Sequence, residues 1–291
     1  MHGGNQRDDA PENHRIPAVK LMKCMVISRI DEDTAIRYTA ALGDALQDSG
    51  YDVVFEEETA HILGRPGSSL AAAHPDIAVI VGGDGTILRT VQNMAVQVPV
   101  IGVNWGEVGF LADLEPDDAL DALAAISDGF LVEPRMRLSF FVGDEYIGDA
   151  LNEVLIVTSR PAKMLKFGVI IDGILSEQFR ADGLLVSTPT GSTAYAMSAG
   201  GPIIDPRIEG TLLVPLAPYM LSSRPHFIGS DRNLELRLES AKPANLVIDG
   251  QKSRDLGCEA TIVVRKSDSP ALFVDVGRNF FVKVDQKLRR L

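Results

Sequence analysis

The pentapeptide Gly82-Gly83-Asp84-Gly85-Thr86 directly follows the apolar run 77–81. Three glycines around one carboxylate, at the end of a buried strand, let backbone N–H groups come close to a ligand. Those N–H groups suit phosphate oxygens, and the carboxylate can align a hydroxyl, accept its proton or hold a metal ion. Ile87, Leu88, Val91, Met94 and Ala95 then recur at helical spacing, so a helix N-terminus is expected to point at the same spot. Gly82, Gly83, Gly85 and Thr86 are the expected phosphate-binding residues, with Arg89 one turn into the helix as a candidate cation. The combination reads as a site that handles phosphoryl groups.

A second constellation begins at Arg180-Ala181-Asp182-Gly183. It continues through an apolar strand into Thr188-Pro189-Thr190-Gly191-Ser192-Thr193-Ala194-Tyr195. Hydroxyls and free N–H groups at the start of a helix expected over 194–199 either bind a diphosphate or simply cap that helix. Asp182 can accept from ribose hydroxyls, and Tyr195 can pack on a flat ring. Asn152-Glu153, at the start of another apolar strand, either face solvent or read an adenine edge or a ribose.

The elements that must position these residues fall into two halves. Over 18–130, apolar runs at 21–27, 51–55, 77–81 and 98–103 alternate with helical patterns. One of those helices is opened by Pro116 and closed by Gly129. All-apolar strands alternating with helices predict an α/β fold with a parallel sheet covered on both faces, whose ligand sits beyond the strands' carboxyl ends. From 131 the period changes to two, as in Leu234, Leu236 and Leu238 between Glu235, Arg237 and Glu239. Asp172-Gly173 and Gly143-Asp144 read as hairpin turns, and strands are expected at 151–157, 183–188, 245–248, 261–265 and 271–276. Many short strands at regular spacing predict an all-β sandwich. The stretch 62–75 reads as a flexible loop near the site, and 1–17 as a disordered leader without an apolar signal segment.

The chain has 291 residues and a formal net charge of −12, with no dense Lys/Arg stripe, which argues against a nucleic-acid surface. No apolar run approaches the roughly 20 residues of a membrane span, so a cytoplasmic protein without a membrane partner is expected. Cys24 and Cys258 lie far apart and read as small buried hydrophobes, and the five histidines form no cluster; no permanent metal site is expected.

Taken in order, GGDGT, Leu151-Asn152-Glu153, RADG, TPTGSTAY followed by Ser198-Ala199-Gly200-Gly201-Pro202, and Asp249-Gly250-Gln251 resemble the NAD kinase family over roughly residues 20–288. Lipid kinases and phosphofructokinases share versions of GGDGT, whereas the TPTGSTAY block is far more specific. The resemblance implies a Rossmann-like α/β domain over 18–130, a β-sandwich NAD-binding domain over 131–274, and a segment over 275–291 that returns to the first domain. It implies phosphoryl transfer from ATP or polyphosphate to the 2′-hydroxyl of the adenosine ribose of NAD, with Mg²⁺ or another divalent cation arriving with ATP, in a homodimer or homotetramer. Carried onto this sequence, Asp84 is the catalytic carboxylate and Gly85 packs on the same ligand. Asn152 and Glu153 hold the adenylate end, and Arg180 and Asp182 are the RADG contacts. Thr193, Ala194, Tyr195, Ala196, Met197 and Ser198 wrap the dinucleotide, while Lys163, Arg89, Ala217 and Gln251 match more variable contacts. Tyr219 and Trp105 depart from the family pattern without removing a group the chemistry needs. The alternatives are a lipid kinase, which would leave the TPTGSTAY block unexplained, and a non-catalytic dinucleotide sensor, which has no use for an intact Asp84.

Overall fold

The computed structural model describes residues 14–17, 22–106, 109–126, 129–159, 163–220 and 222–289. Its first sheet runs, edge to edge, through His14–Pro17, Gly129–Arg135, Ala271–Asp275, Val100–Asn104, Ile77–Gly82, Lys23–Ser28, Asp52–Glu56 and Gly67–Ser68. The last five of these pair in parallel. Ile77–Gly82 is buried along its whole length, which a parallel strand covered on both faces requires. Val79 and Val81 pack with Ala35, Leu42 and Leu46 of helix Asp33–Asp48. Ala78 and Ile80 face the other way, onto Ile87, Leu88 and Val91 of helix Asp84–Asn93. Packing on that second face anchors the N-terminus of the Asp84 helix at the carboxyl end of the strand.

The second sheet is antiparallel and ten-stranded. Its main path is His226–Gly229, Gly210–Leu216, Gly183–Ser187, Glu153–Thr158, Leu234–Ile248, Lys252–Lys266, Leu138–Val142 and Glu145–Ala150, with the hairpin Leu165–Ile171/Ile174–Ala181 attached to Leu234–Ile248. The long strand Leu234–Ile248 pairs with Leu165–Ile171 through its first half and with Glu153–Thr158 through its second. Its register shifts between Glu239 and Ala244, where the ladder bends. Inward side chains from along this path, among them Phe140, Phe167, Leu184, Leu236 and Ile262, share one core. The hairpin turn expected at Asp172-Gly173 forms with φ of 50° and 79°, the left-handed pair that a two-residue hairpin needs.

Several expectations change. Residues 14–17 are not leader but an edge strand paired antiparallel with 129–132, with Ile16 packed on the first core; one apolar side chain in a polar segment gives no readable period. Residues 1–13 of that expected leader lie outside the described residues. The strand expected at 271–276 forms over Ala271–Asp275 but joins the first sheet, between Gly129–Arg135 and Val100–Asn104. The chain therefore leaves the first sheet after Arg135 and re-enters it at Ala271, rather than crossing at 131 and 275. An apolar run does not say which sheet it joins. The expected loop 62–75 instead holds the end of helix Glu57–Leu63, strand Gly67–Ser68 and the turn Leu70–Ala73, capped by the Ser69 hydroxyl. Cys24 is buried, its thiol pushed up to about 12 by burial, but Cys258 is exposed on the strand Lys252–Lys266.

Candidate active site

Asp84 is the first residue of its helix, and its carboxylate is clamped from the opposite side. Oδ2 accepts a hydrogen bond from the Phe110 N–H at 2.7 Å and Oδ1 one from the Leu111 N–H at 2.9 Å. The approach depends on Gly109, where a Cβ would lie 2.6 Å from Asp84 Oδ1. Two charge-assisted bonds fix the carboxylate while each oxygen keeps a lone pair for a further donor. Beside it opens a cavity of about 440 Å³ lined by Arg29, Ile30, Asp31, Gly83, Gly85, Thr86 and Arg89. A Cβ on Gly83 or Gly85 would meet no atom within 4 Å, so the bare backbone of both faces open space. Unpaired N–H groups at a helix start favour anions there. Arg29 forks onto Asp31 at 2.9 and 2.8 Å and donates to the Trp105 carbonyl, while Arg89 pairs with Glu58 at 3.1 Å. These carboxylates are exposed, and such pairs are cheap to open when phosphate arrives.

Asn152 and Glu153 are positioned from below by Asp249. Its Oδ1 accepts from the N–H groups of Asn152 (2.9 Å) and Glu153 (3.0 Å), and its Oδ2 from Leu151 N–H (2.8 Å) and Gln92 Nε2 (2.6 Å). Gln92 lies on the Asp84 helix and also donates to the Asp149 carbonyl at 2.6 Å, so one amide ties that helix to the second sheet. Asp249 sits in a turn with φ 45°, a conformation that aspartate tolerates better than most residues. Burial holds its carboxyl above the usual range, and the four donors oppose that shift. Burial, with the Asp249 charge adding to it, raises the Glu153 carboxyl to about 8. Asn152 Oδ1 and Glu153 Oε2 are buried with no hydrogen-bond partner among the described residues. Two buried oxygens without partners on consecutive residues are costly, and with the Glu153 carboxyl protonated at neutral pH they suit a ligand that offers both donors and acceptors.

The Thr188–Tyr195 segment closes over the same place. Thr188 N–H donates to the Asn152 carbonyl at 2.8 Å and Ser187 Oγ at 3.1 Å. Gly191 passes so close that a Cβ would lie 2.1 Å from Asn152 O. The helix expected over 194–199 is a single turn, Tyr195–Ser198, preceded by a 3₁₀ turn at Thr190–Thr193. Within it Thr193 and Ala196 are buried, Ala194 and Met197 half-buried, and Tyr195 and Ser198 exposed, leaving the Tyr195 ring free to stack.

The remaining candidates lie elsewhere. Glu153 pairs with Ser187 and Val157 with Gly183, so Asp182 stands at the far end of that strand from Asn152. At the rise of an extended strand, six steps put the separation at about 20 Å. Exposed Arg180, Asp182 and Ala217 gather at that end, where Asp182 N–H donates to Leu216 O and Tyr219 N–H to Arg180 O. Lys163, two residues ahead of Leu165, which pairs with Ala181, lies at the same end. Gln251 is exposed in the turn after Asp249. Sequence reasoning missed Gln92, Arg29 and the structural part played by Asp249. A glutamine on the helix behind GGDGT was the available signal for the first, and the quoted Asp249-Gly250-Gln251 motif for the last.

Comparison with known proteins identifies the family. Residues 24–130 match the model of the ATP-NAD kinase N-terminal domain and 151–276 that of the ATP-NAD kinase C-terminal domain. The NAD kinase of Methanoculleus marisnigri is 63% identical over 270 residues, covering 93% of this chain and all of that protein. That of Methanoregula boonei is 60% identical over the same shares. An Archaeoglobus fulgidus NAD kinase crystallised with ATP superposes with a TM-score of 0.78 at 31% identity, covering 93% of this chain and all of that one. Yeast NADH kinase complexed with NADH shares the fold at a TM-score of 0.84 and 23% identity, covering 92% of this chain and 88% of that one. With both domain models matched and relatives up to 63% identical over 93% of its length, the chain belongs to the NAD kinase family, whose phosphotransferases convert NAD to NADP.

Proposed function

We propose that Asp84 is the general base of this NAD kinase, with the cavity at its helix N-terminus receiving the phosphates of the donor. The observation that carries this reading is the carboxylate pinned by Phe110 and Leu111 at the rim of that cavity. In the reaction, the 2′-oxygen of the adenosine ribose attacks the terminal phosphorus of ATP. The bond from that phosphorus to the bridging oxygen breaks, ADP leaves, and the hydroxyl proton passes to Asp84 as the new bond forms. A loose, in-line transfer is governed by placement and by compensation of charge on the equatorial oxygens. Asp84 supplies placement, because its clamped rotamer gives the hydroxyl one acceptor direction. The helix N–H groups, Thr86 and the arginines Arg29 and Arg89 supply the compensation. The divalent cation enters as part of the Mg·ATP substrate, and polyphosphate as donor would use the same cavity.

NAD is held at its adenylate end by Asn152 and Glu153, with Thr193, Ala194, Tyr195, Ala196, Met197 and Ser198 around it. The orphaned Asn152 and Glu153 oxygens support this placement. Arg180, Asp182, Lys163, Ala217 and Gln251 are proposed as outer contacts, and the chain as a cytoplasmic homodimer or homotetramer, which light scattering of the eluted protein would resolve. A coupled assay with Mg·ATP and NAD, read through an NADP-specific dehydrogenase, tests the assignment: wild type forms NADP and Asp84→Asn does not.

A further inference from the structure

The site as described lacks one thing. Asp84 and the donor phosphates bring negative charge together, and Arg29 and Arg89 meet it only by leaving Asp31 and Glu58. A further cation, without an ion pair among the described residues, lies close enough to Asp84 to feel its charge. The helix Phe280–Leu288, capped by the Asn279 side chain, lies against the Phe110 segment and carries Lys283 and Lys287 one turn apart. Residues so spaced share a helix face. Lys283 is neutralised by Asp113, with Nζ 2.5 Å from Oδ1. Lys287 is not: its Nζ is buried and has no hydrogen-bond partner among the described residues. It lies 5.9 Å from the centre of the Phe110 ring, the residue whose N–H holds Asp84 Oδ2. Phe110 is thus bound to the carboxylate by its backbone and covered by the ammonium on its ring.

We propose that Lys287 completes the phosphoryl-transfer site from the C-terminal helix, its ammonium meeting the donor's phosphate oxygens beside Asp84. The inference rests on the reading of Asp84 as the reacting carboxylate. Burying an ammonium without a partner destabilises a fold, so its place here is accounted for by an anion that arrives later. The charges around it agree. Burial, with the Lys283 charge added, lowers its proton affinity, while Asp84, Glu115 and Asp113 act in the other direction. Phosphate oxygens would satisfy the three donors of its ammonium.

The test uses the full chain with Mg·ATP and NAD. Lys287→Met keeps the length and loses the charge. It is expected to lower kcat/KM for ATP about 100-fold, the size of effect seen when one donor to a developing charge is removed. NAD affinity by calorimetry should stay within about twofold, and the midpoint of unfolding should hold or rise, because an unpaired buried charge is gone. A lysine that merely packed would show the reverse, lower stability with kcat/KM intact. Lys287→Arg is expected to recover most activity and to move the alkaline limb of kcat/KM for ATP to higher pH, since guanidinium does not deprotonate there. A Lys287→Met enzyme within about threefold of wild type in kcat/KM for ATP overturns the proposal. Should that variant not fold, an unmoved alkaline limb in Lys287→Arg overturns it instead. Asp84→Asn measured alongside separates the two claims, because near-native turnover there removes the base assignment whatever Lys287 does.

Discussion

Replacing Asp249 by asparagine exchanges one carboxylate oxygen for an NH₂ group, and every neighbour of that position is a donor. Four N–H groups converge on the carboxylate, from Leu151, Asn152, Glu153 and Gln92. Whichever way the new amide turns, its NH₂ faces two of them. Gln92 has no simple remedy, because flipping its own amide would set oxygen against the Asp149 carbonyl it now donates to. Two lost bonds to a buried charged acceptor, at about 1.5–3 kcal/mol each, amount to roughly 3–6 kcal/mol. Relief from burying a charge, the larger influence on the Asp249 carboxyl, offsets part of this and leaves about 2–4 kcal/mol. For a chain of this size that is a fall of roughly 5–15 °C in unfolding midpoint. The Asn152-Glu153 backbone would lose its anchor, so the KM for NAD should rise by about an order of magnitude, with kcat less affected. Differential scanning fluorimetry and steady-state kinetics on Asp249→Asn measure both. A midpoint within about 2 °C of wild type together with an unchanged KM would refute the reasoning that this carboxylate positions the pair proposed to bind NAD.

Other expectations follow from the same geometry. Because the Glu153 carboxyl titrates near 8 in the fold and near its ordinary 4.5 when unfolded, the folded protein binds more protons in between. Stability therefore falls as pH rises from about 4.5 to about 8. Glu153→Gln should flatten that decline and raise the melting point at pH 8, while weakening NAD binding; equal slopes in both proteins would contradict the burial argument. Gly191→Ala would force a methyl to 2.1 Å from the Asn152 carbonyl oxygen, so about 1–3 kcal/mol of stability should go, together with NAD affinity, in denaturant titration and calorimetry. Gly109→Ala meets the Asp84 carboxylate first, so kcat should drop with little change in melting; a large loss of stability with kcat retained would refute that assignment.

The two sheets were largely readable because their signals are local. An all-apolar 77–81 run states a covered parallel strand, and the three glycines around Asp84 mark the break from strand to helix that forms there. The parts that escaped depend on contacts between distant residues. Asp249 reaches Asn152 across 97 positions, and nothing near it in sequence says which N–H groups it holds. Gln92 looks like an ordinary polar helix residue until the second sheet is placed against it. Ala271–Asp275 is an apolar run that either sheet could take, and its sheet is decided by packing beside Val100. Lys287 belongs to a helix whose docking on Phe110 is a tertiary fact alone. The RADG residues were legible as a motif, whereas their distance from Asn152 follows only from strand register.

The most direct test of the account is turnover by Asp84→Asn, with NADP formation followed in the coupled assay and NAD binding measured on the same preparation. Loss of most of kcat, about 10³-fold, is predicted, with NAD affinity within a few fold and the fold intact by circular dichroism. An Asp84→Asn enzyme that still makes NADP at near the wild-type rate would contradict the assignment of the base, and with it the placement of the reaction at the Gly83–Thr86 cavity.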